Sequence, residues 1–160
     1  INNELIGIQH YLTGAVEITI VRPDFVLGRV VATYRPIEVG DRLMPYDRRL
    51  PRIEMQQSPK GLEGQIIESE EHQDIFGENA IAFIDKGEQE GVKPGQIYAI
   101  FKQEKFRINS KKKNETTLTP VLMGELIVLL AEKTTATVMI TDSLTAIEPG
   151  TKIISPFKLE

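Results

Sequence analysis

The same short turn occurs three times in this chain, each time between two apolar segments. The copies read IEVGDRL at residues 37–43, VKPGQIY at 92–98 and IEPGTKI at 147–153. A proline before the glycine fixes φ at the first central position of a type II turn, and the glycine supplies the positive φ at the second. Structural turns are therefore predicted at Gly40, Asp41, Pro94, Gly95, Pro149 and Gly150.

These turns belong to a longer internal repeat. A shift of the sequence by 110 residues places Gly14 on Gly124 and Gly40 on Gly150 without a gap. A middle copy covers residues 64–97 and requires a short insertion. Such a unit cannot bury its apolar face alone, so the copies should pack on one another or close into small barrels. The shift also superposes two sets of alternating apolar residues, namely Val16, Ile18 and Ile20 on Leu126, Val128 and Leu130.

The pattern predicts an all-β protein, because no segment sustains the apolar spacing of three and four that is typical of helices. We expect short antiparallel strands in repeated hairpin units, forming one or two small barrel- or sandwich-like β domains. A first hairpin is predicted between residues 4–11 and 15–21. The predicted domains are a small β unit at residues 1–50, a linker at 51–60, and a larger β unit at 61–157 with a polar hairpin tip at 107–117. The linker prediction rests on the prolines, arginines and lack of periodicity of that stretch.

Composition excludes several classes of function. The chain has no cysteine, which removes disulfides, cysteine-bound zinc and thiol catalysis. A net charge of −4 and only 6% aromatic residues argue against a nucleic-acid partner. No apolar run approaches the roughly 20 residues that span a bilayer, so no transmembrane segment is predicted. No Walker, G-x-G-x-x-G or G-x-S-x-G motif occurs, and we expect no cofactor.

Two basic clusters are candidate interaction sites. Three arginines lie in sequence near two tyrosines, and arginine suits anionic or carboxylate partners through its two-pronged guanidinium. A basic triplet lies in the predicted hairpin tip, and its charge suits contact with anionic lipid or a glycan polymer. For both clusters the simpler interpretation is a solvated segment. The residues are Tyr34, Tyr46, Arg48, Arg49 and Arg52 in the first cluster, and Lys111, Lys112 and Lys113 in the second.

Acidic residues offer the only routes to a metal site or to catalysis. The cluster Glu68, Glu70, Glu71, His72 and Asp74 contains ligands for a hard cation, but it lacks the alternating pattern and central glycine of a calcium loop. Asp41 and Asp85 lie beside turn glycines and could form the carboxylate pair of a glycan hydrolase. Both are better explained as acceptors for backbone N–H groups of their turns. We therefore expect no metal ligand and no catalytic residue, and we predict that the protein is not an enzyme.

Two runs of sequence resemble a known family. ELIGIQHYLTGAVEI at residues 4–18 and ATYRPIEVGDRLMP at 32–45 are similar to the C-terminal accessory region of bacterial LysM-domain envelope proteins, which bind peptidoglycan. The downstream segments GQIIES, AFIDKGEQEGVKPGQIYAI and GELIVLLAEKTTATVMITDSLTAIEPGTKI extend the resemblance over nearly the whole chain. The LysM module itself, a short βααβ unit that binds N-acetylglucosamine glycans, is not in this chain.

The resemblance implies a subcellular location and a role. The location is the periplasm or cell envelope of a Gram-negative bacterium. The role is that of a non-catalytic accessory module that contacts an envelope protein partner, while a LysM module outside this chain binds peptidoglycan. Candidate contacts are edge strands at residues 4–11 and at the strand entering the 111–113 tip. The alternatives are a carboxylate-based glycan hydrolase and a domain that binds peptidoglycan directly.

Overall fold

The structure is a computed structural model that describes residues 6–46, 52–107 and 115–155. The chain divides into two compact units. The smaller, here the hairpin unit, is Gly7–Pro51, and the larger, here the barrel unit, is Arg52–Glu160 together with Ile1–Ile6. The described residues contain strands and one short 3₁₀ turn, Glu88–Glu90, but no α-helix. The all-β prediction is confirmed.

The hairpin unit contains two strands, β1 (Gly14–Val21) and β2 (Val26–Thr33), which pair antiparallel. A tight turn joins them, with Arg22 N–H bonded to Phe25 O at 2.9 Å. The predicted pairing of residues 4–11 with 15–21 is wrong. Residues 6–13 form no strand, and β1 pairs with the segment that follows it, because the Arg-Pro-Asp turn brings β2 directly beside β1.

The barrel unit is built on a closed six-stranded antiparallel barrel. The strands of this unit are β3 (Glu63–Ser69), β4 (Ile81–Ile84), β5 (Ile97–Lys102), β6 (Lys105–Arg107), β7 (Glu115–Thr117), β8 (Val121–Ala131), β9 (Ala136–Ser143) and β10 (Lys152–Ile154). Around the barrel the order is β10-β3-β4-β9-β8-β5. A separate two-stranded ribbon, β6 with β7, carries the predicted hairpin tip, whose residues 108–114 lie outside the described part of the chain.

The barrel consists of two halves with the same connectivity. The first half is β3, β4 and β5, and the second is β8, β9 and β10. Each half is a hairpin followed by a glycine turn and a returning strand. An exchange of the two halves, β3 with β8, β4 with β9 and β5 with β10, reproduces every strand pairing of the barrel. The barrel therefore has a pseudo-twofold arrangement.

Alternation of side chains explains the core. Successive residues of a strand point to opposite faces, so every second residue of each barrel strand points inward. The inward residues are mostly β-branched or leucine, and burial of each such side chain is worth about 1.5–3 kcal/mol. Fully buried core residues include Ile66, Ile84, Tyr98, Ile100, Leu126, Val128, Val138, Ile140, Ile147 and Ile153.

Part of the predicted linker packs on the barrel. Gln56 N–H donates to Gly95 O at 2.9 Å, and Ser58 Oγ donates to Ile97 O at 2.5 Å. A Cβ added to Gly95 would overlap the carbonyl oxygen of Glu54, so the segment crosses the turn in close contact. These contacts use polar side chains and backbone atoms. The sequence of this segment therefore shows no apolar periodicity that would have indicated the packing. The structure assigns residues from Arg52 onward to the barrel unit.

Candidate interaction surface

Hydrogen-bonded turns form at all three predicted positions. In each turn the N–H after the glycine donates to the carbonyl three residues earlier: Asp41 to Glu38 O, Gln96 to Lys93 O and Thr151 to Glu148 O. The turn glycines Gly40, Gly95 and Gly150 have φ of 107°, 89° and 89°. Pro94 and Pro149 occupy the position before the glycine, as expected from their fixed φ.

The residue after each turn glycine closes the turn with its side chain. Asp41 Oδ2 accepts from Glu38 N–H at 3.2 Å, Gln96 Oε1 from Lys93 N–H at 2.9 Å, and Thr151 Oγ1 from Glu148 N–H at 3.3 Å. Three different side chains thus make the same contact. Asp41 also accepts from Thr13 Oγ1 at 3.2 Å. Its carboxylate is engaged in holding the turn.

Gln96 is the centre of a buried polar network in the barrel. Its amide nitrogen donates to Gly91 O and Gln57 O, and Tyr98 Oη donates to its Oε1 at 2.8 Å. Burial raises the pKa of Tyr98 to about 12, although a hydrogen bond with Ser58 lowers it in part. Because every polar atom of the amide has a partner, the network locks the turn and residues 57–58 to the wall of the barrel.

Several of the acidic candidates contact a backbone N–H group or a neighbouring side chain. Asp85 Oδ1 accepts from Gln65 N–H at 2.8 Å, and the nearest contact of Glu68 with His72 is 3.9 Å. Within residues 6–46, 52–107 and 115–155 no group of three or more histidine and acidic side chains is placed to hold a metal ion. Asp41 lies in the hairpin unit and accepts from its own turn, whereas Asp85 lies in the barrel unit and accepts from the neighbouring strand β3.

The structure describes part of the basic and aromatic candidates. A hydrogen bond with Tyr46 raises the pKa of Tyr34, and the charge of Tyr46 and desolvation act in the same direction. Both rings are exposed, and both belong to the hairpin unit. Arg52 belongs to the barrel unit. Arg48, Arg49 and the triplet 111–113 lie outside the described residues. A contact that the sequence did not indicate places the Arg35 guanidinium 4.7 Å above the Tyr11 ring.

A groove of about 700 Å³ lies beside the end of β5 and the Pro149–Gly150 turn. Three of its four charged side chains are engaged with neighbours. Lys102 Nζ and Glu104 Oε1 are 3.1 Å apart, and Lys152 Nζ donates to Gln65 Oε1 at 3.0 Å. The groove therefore presents no cluster of polar groups that converge on a ligand.

The most unusual surface is the apolar face of the hairpin unit, which follows from the repeat. The registers of β1–β2 and β8–β9 are the same after a shift of 110 residues, including both bulges. The hydrogen bond from Tyr34 N–H to Thr13 O recurs as that from Leu144 N–H to Met123 O. The hairpin unit is thus a structural copy of one barrel half.

We define the open face as the residues of the hairpin unit that correspond to barrel core. Their counterparts in the barrel are at most 1% exposed, whereas Ile18, Val30 and Leu43 are 49%, 51% and 74% exposed. The face is continuous across β1 and β2, since a Cβ added at Gly28 would meet Val16 Cγ1 at 2.5 Å. The residues are Val16, Ile18, Val26, Val30, Ile37 and Leu43, with counterparts Leu126, Val128, Ala136, Ile140, Ile147 and Ile153.

No member of the open face was among the candidate residues from sequence. The available signal in the sequence was the number of repeat copies. The barrel closes from two copies, and the chain contains three, so one copy stands outside the barrel.

Comparison with known proteins yields no match: no protein-family model, no curated protein and no solved structure matches the chain. Within the described residues, no helix has the length and apolar character needed to cross a membrane.

Proposed function

We propose that this chain is a non-catalytic accessory module of a bacterial cell-envelope protein and that it acts by protein–protein contact through the open face. The observation that carries the proposal is the exposure of side chains whose barrel counterparts are core. A contiguous apolar sheet face that is exposed in one copy and covered in the other is typical of an interaction site.

The chemistry of the face favours a polypeptide over a glycan. All six of its side chains are aliphatic, and none carries a hydrogen-bonding group or an aromatic ring on which a sugar could stack. The core of a protein–protein interface is likewise apolar and depleted of charge. The counterpart face in the barrel is covered by strands, which supply both apolar side chains and backbone hydrogen bonds.

The proposed location in the cell envelope rests on the resemblance to LysM-associated envelope proteins. In this proposal a LysM module outside this chain binds peptidoglycan, and the present module contacts a protein. The first alternative, a carboxylate-based hydrolase, is disfavoured because both carboxylates are engaged by backbone N–H groups, Asp41 by that of Glu38 in its turn and Asp85 by that of Gln65 in β3. The second alternative, direct peptidoglycan binding, finds no support in the aliphatic open face.

Site-specific photo-cross-linking in a Gram-negative host tests the proposal. A photoreactive amino acid replaces Ile18 on the open face or, as a matched control, Val31 in β2, whose barrel counterpart Thr141 is exposed. We expect a polypeptide adduct from position 18 and little or none from position 31. Absence of an adduct at position 18, or equal adducts at both positions, would contradict the proposal.

A sedimentation assay with purified peptidoglycan tests the second alternative. We expect the chain alone to remain in the supernatant. Saturable co-sedimentation that survives substitution of Ile18 by Asp would favour direct glycan binding at another surface.

A further inference from the structure

We propose that the occupant of the open face is a second copy of this chain and that two hairpin units close into one barrel with twofold symmetry. This inference rests on the proposed function and names the partner that the face takes.

The barrel unit shows how two halves close on each other. β4 pairs with β9, and β5 pairs with β10, so these two pairings join equivalent strands of the two halves. β8 pairs with β5, and its equivalent β3 pairs with β10. The two halves differ in sequence, yet they meet as the two copies of a symmetric dimer would.

Cross-half hydrogen bonds follow the same symmetry. Gly95 N–H donates to Val128 O at 2.8 Å, and Val128 N–H donates to Gln96 O at 2.9 Å. In the other direction, Gly150 N–H donates to Ile66 O at 2.7 Å, and Ile66 N–H donates to Thr151 O at 2.9 Å. Each glycine turn is thus bonded to the first strand of the opposite half.

The hairpin unit holds every part of one such half. It has the hairpin β1–β2, the turn at Gly40 and the segment 41–46 in the place of the returning strand. Segment 41–46 is not a strand, whereas its counterpart β10 is. β10 pairs only with β3 and β5, which both belong to the other half. The returning segment therefore becomes a strand only when a second half is present.

A second copy can supply that half with its own hairpin unit. β2 would pair antiparallel with β2 of the partner, and segment 41–46 with β1 of the partner. By the repeat, Gly40 N–H would donate to Ile18 O of the partner subunit, and Ile18 N–H would donate to Asp41 O of the partner subunit. Strands β3–β5 of a second copy are a poorer source, because they already close the barrel with β8–β10.

The charges of the hairpin unit agree with this closure. The open face carries no charged side chain. The ion pair between Arg29 Nη2 and Glu17 Oε2, at 2.6 Å, has counterparts Met139 and Ile127 in the barrel, both outside the buried core. Pro45 lacks the N–H that its counterpart Ser155 donates to Leu62 O, so the new strand would end before Pro45.

The test measures the mass of the purified chain by light scattering or sedimentation velocity from about 1 µM to about 0.5 mM, which spans ordinary protein affinities. We expect twice the 18.0 kDa chain mass at the upper end. Val30→Asp, which buries a charge in the closed barrel, should raise the dissociation constant at least about a hundredfold. Val31→Asp is the matched control and should dimerise as the parent does.

Amide hydrogen exchange supplies a second readout that is independent of chain mass. In the parent chain and in Val31→Asp, protection of the Ile18 and Gly40 amides should rise with protein concentration, but in Val30→Asp it should not. Protection in β3–β5 should be the same in all three chains, which shows that Val30→Asp leaves the barrel unit folded.

The outcomes separate the two proposals. A chain that remains monomeric at about 0.5 mM overturns the second-copy inference. A dimer that is equally sensitive to both substitutions overturns it as well. If the pure chain is monomeric while position 18 cross-links to another polypeptide in cells, the proposed function stands with a different partner. If neither dimer nor adduct forms, both proposals fail.

Discussion

The hairpins β1–β2 and β8–β9 are two copies of one structure in opposite environments. Their registers, bulges and turn hydrogen bonds coincide after a shift of 110 residues. Yet Ile140 is fully buried, and its counterpart Val30 is half exposed. The comparison shows that strand pairing and register are local properties of the repeat. Whether the apolar face of a hairpin is buried depends on the half-barrel that packs against it.

The two copies also differ in their expected contribution to stability. An isolated two-stranded hairpin is marginally stable in water. The barrel, in contrast, buries a core from both halves. We therefore expect the main unfolding transition of the monomer to report on the barrel unit. The following predictions break or sharpen this comparison.

The largest effect is expected for a pair of isoleucines at equivalent positions. Ile147 is fully buried, whereas Ile37 is 41% exposed. Ile147→Ala should destabilise the main transition by about 2–5 kcal/mol, because it leaves a cavity in the core. Ile37→Ala should change it by less than about 0.5 kcal/mol. Urea unfolding at a concentration where the chain is monomeric measures both, and equal effects would show that the two copies are equally packed.

The turn glycines should respond in a graded way. Alanine at Gly150 meets no atom within 4 Å, so Gly150→Ala adds only the strain of a positive φ, about 1–2 kcal/mol. Gly95→Ala adds the same strain and also overlaps Glu54 O, so we expect about 2–4 kcal/mol in total. Thermal unfolding of the two variants measures the difference. A smaller loss for Gly95→Ala would mean that residues 52–56 are not held on the turn.

Alkaline pH should affect the barrel through Tyr98. An unfolded tyrosine loses its proton near pH 10, but burial raises the pKa of folded Tyr98 to about 12. Between these values the unfolded state binds fewer protons, so the free energy of unfolding falls as pH rises. Above pH 12 the free energy of unfolding should be lower by roughly 2–3 kcal/mol than below pH 10, where Tyr98 is protonated in both states and causes no loss.

The variant Tyr98→Phe isolates this contribution. Its stability should depend less steeply on pH between 10 and 12 than that of the parent. Tyr11→Phe removes a hydroxyl from an exposed ring of the hairpin unit and serves as the control, with an alkaline slope like the parent's. An unchanged slope in Tyr98→Phe would mean that the buried hydroxyl is not the group responsible.

The smallest effect is expected on the outer face of the hairpin unit. Arg29 and Glu17 form an exposed ion pair, and exposed pairs contribute about 0–1 kcal/mol. Arg29→Ala and Glu17→Ala should each change the amide exchange rates in β1 and β2 by no more than about a few-fold. A double-mutant cycle gives the coupling, which should shrink further at high salt. A coupling above about 2 kcal/mol would place this pair in a buried environment.

The candidate site was predictable only in part. The glycine turns and the role of Asp41 as a backbone acceptor could be inferred because both depend on a few neighbouring residues. The open face could not be inferred from its own residues, since Val16, Ile18 and Val30 have the same pattern as a buried strand. The polar network of Gln96 was also missed, because its partner Gln57 is brought to it by the docking of residues 52–58 and its partner Gly91 by the loop that precedes the turn.

The sequence alone determined the units of this fold. A glycine at a positive φ and a two-residue alternation act over a few bonds, so turns, strands and the register of each repeated hairpin are encoded locally. Only the tertiary structure decided which copies close together. Closure depends on strands more than 50 residues apart, such as β3 with β10, and on whether a second half is present at all. For that reason Ile153 is core and Leu43, in the same turn motif, lies on an open face.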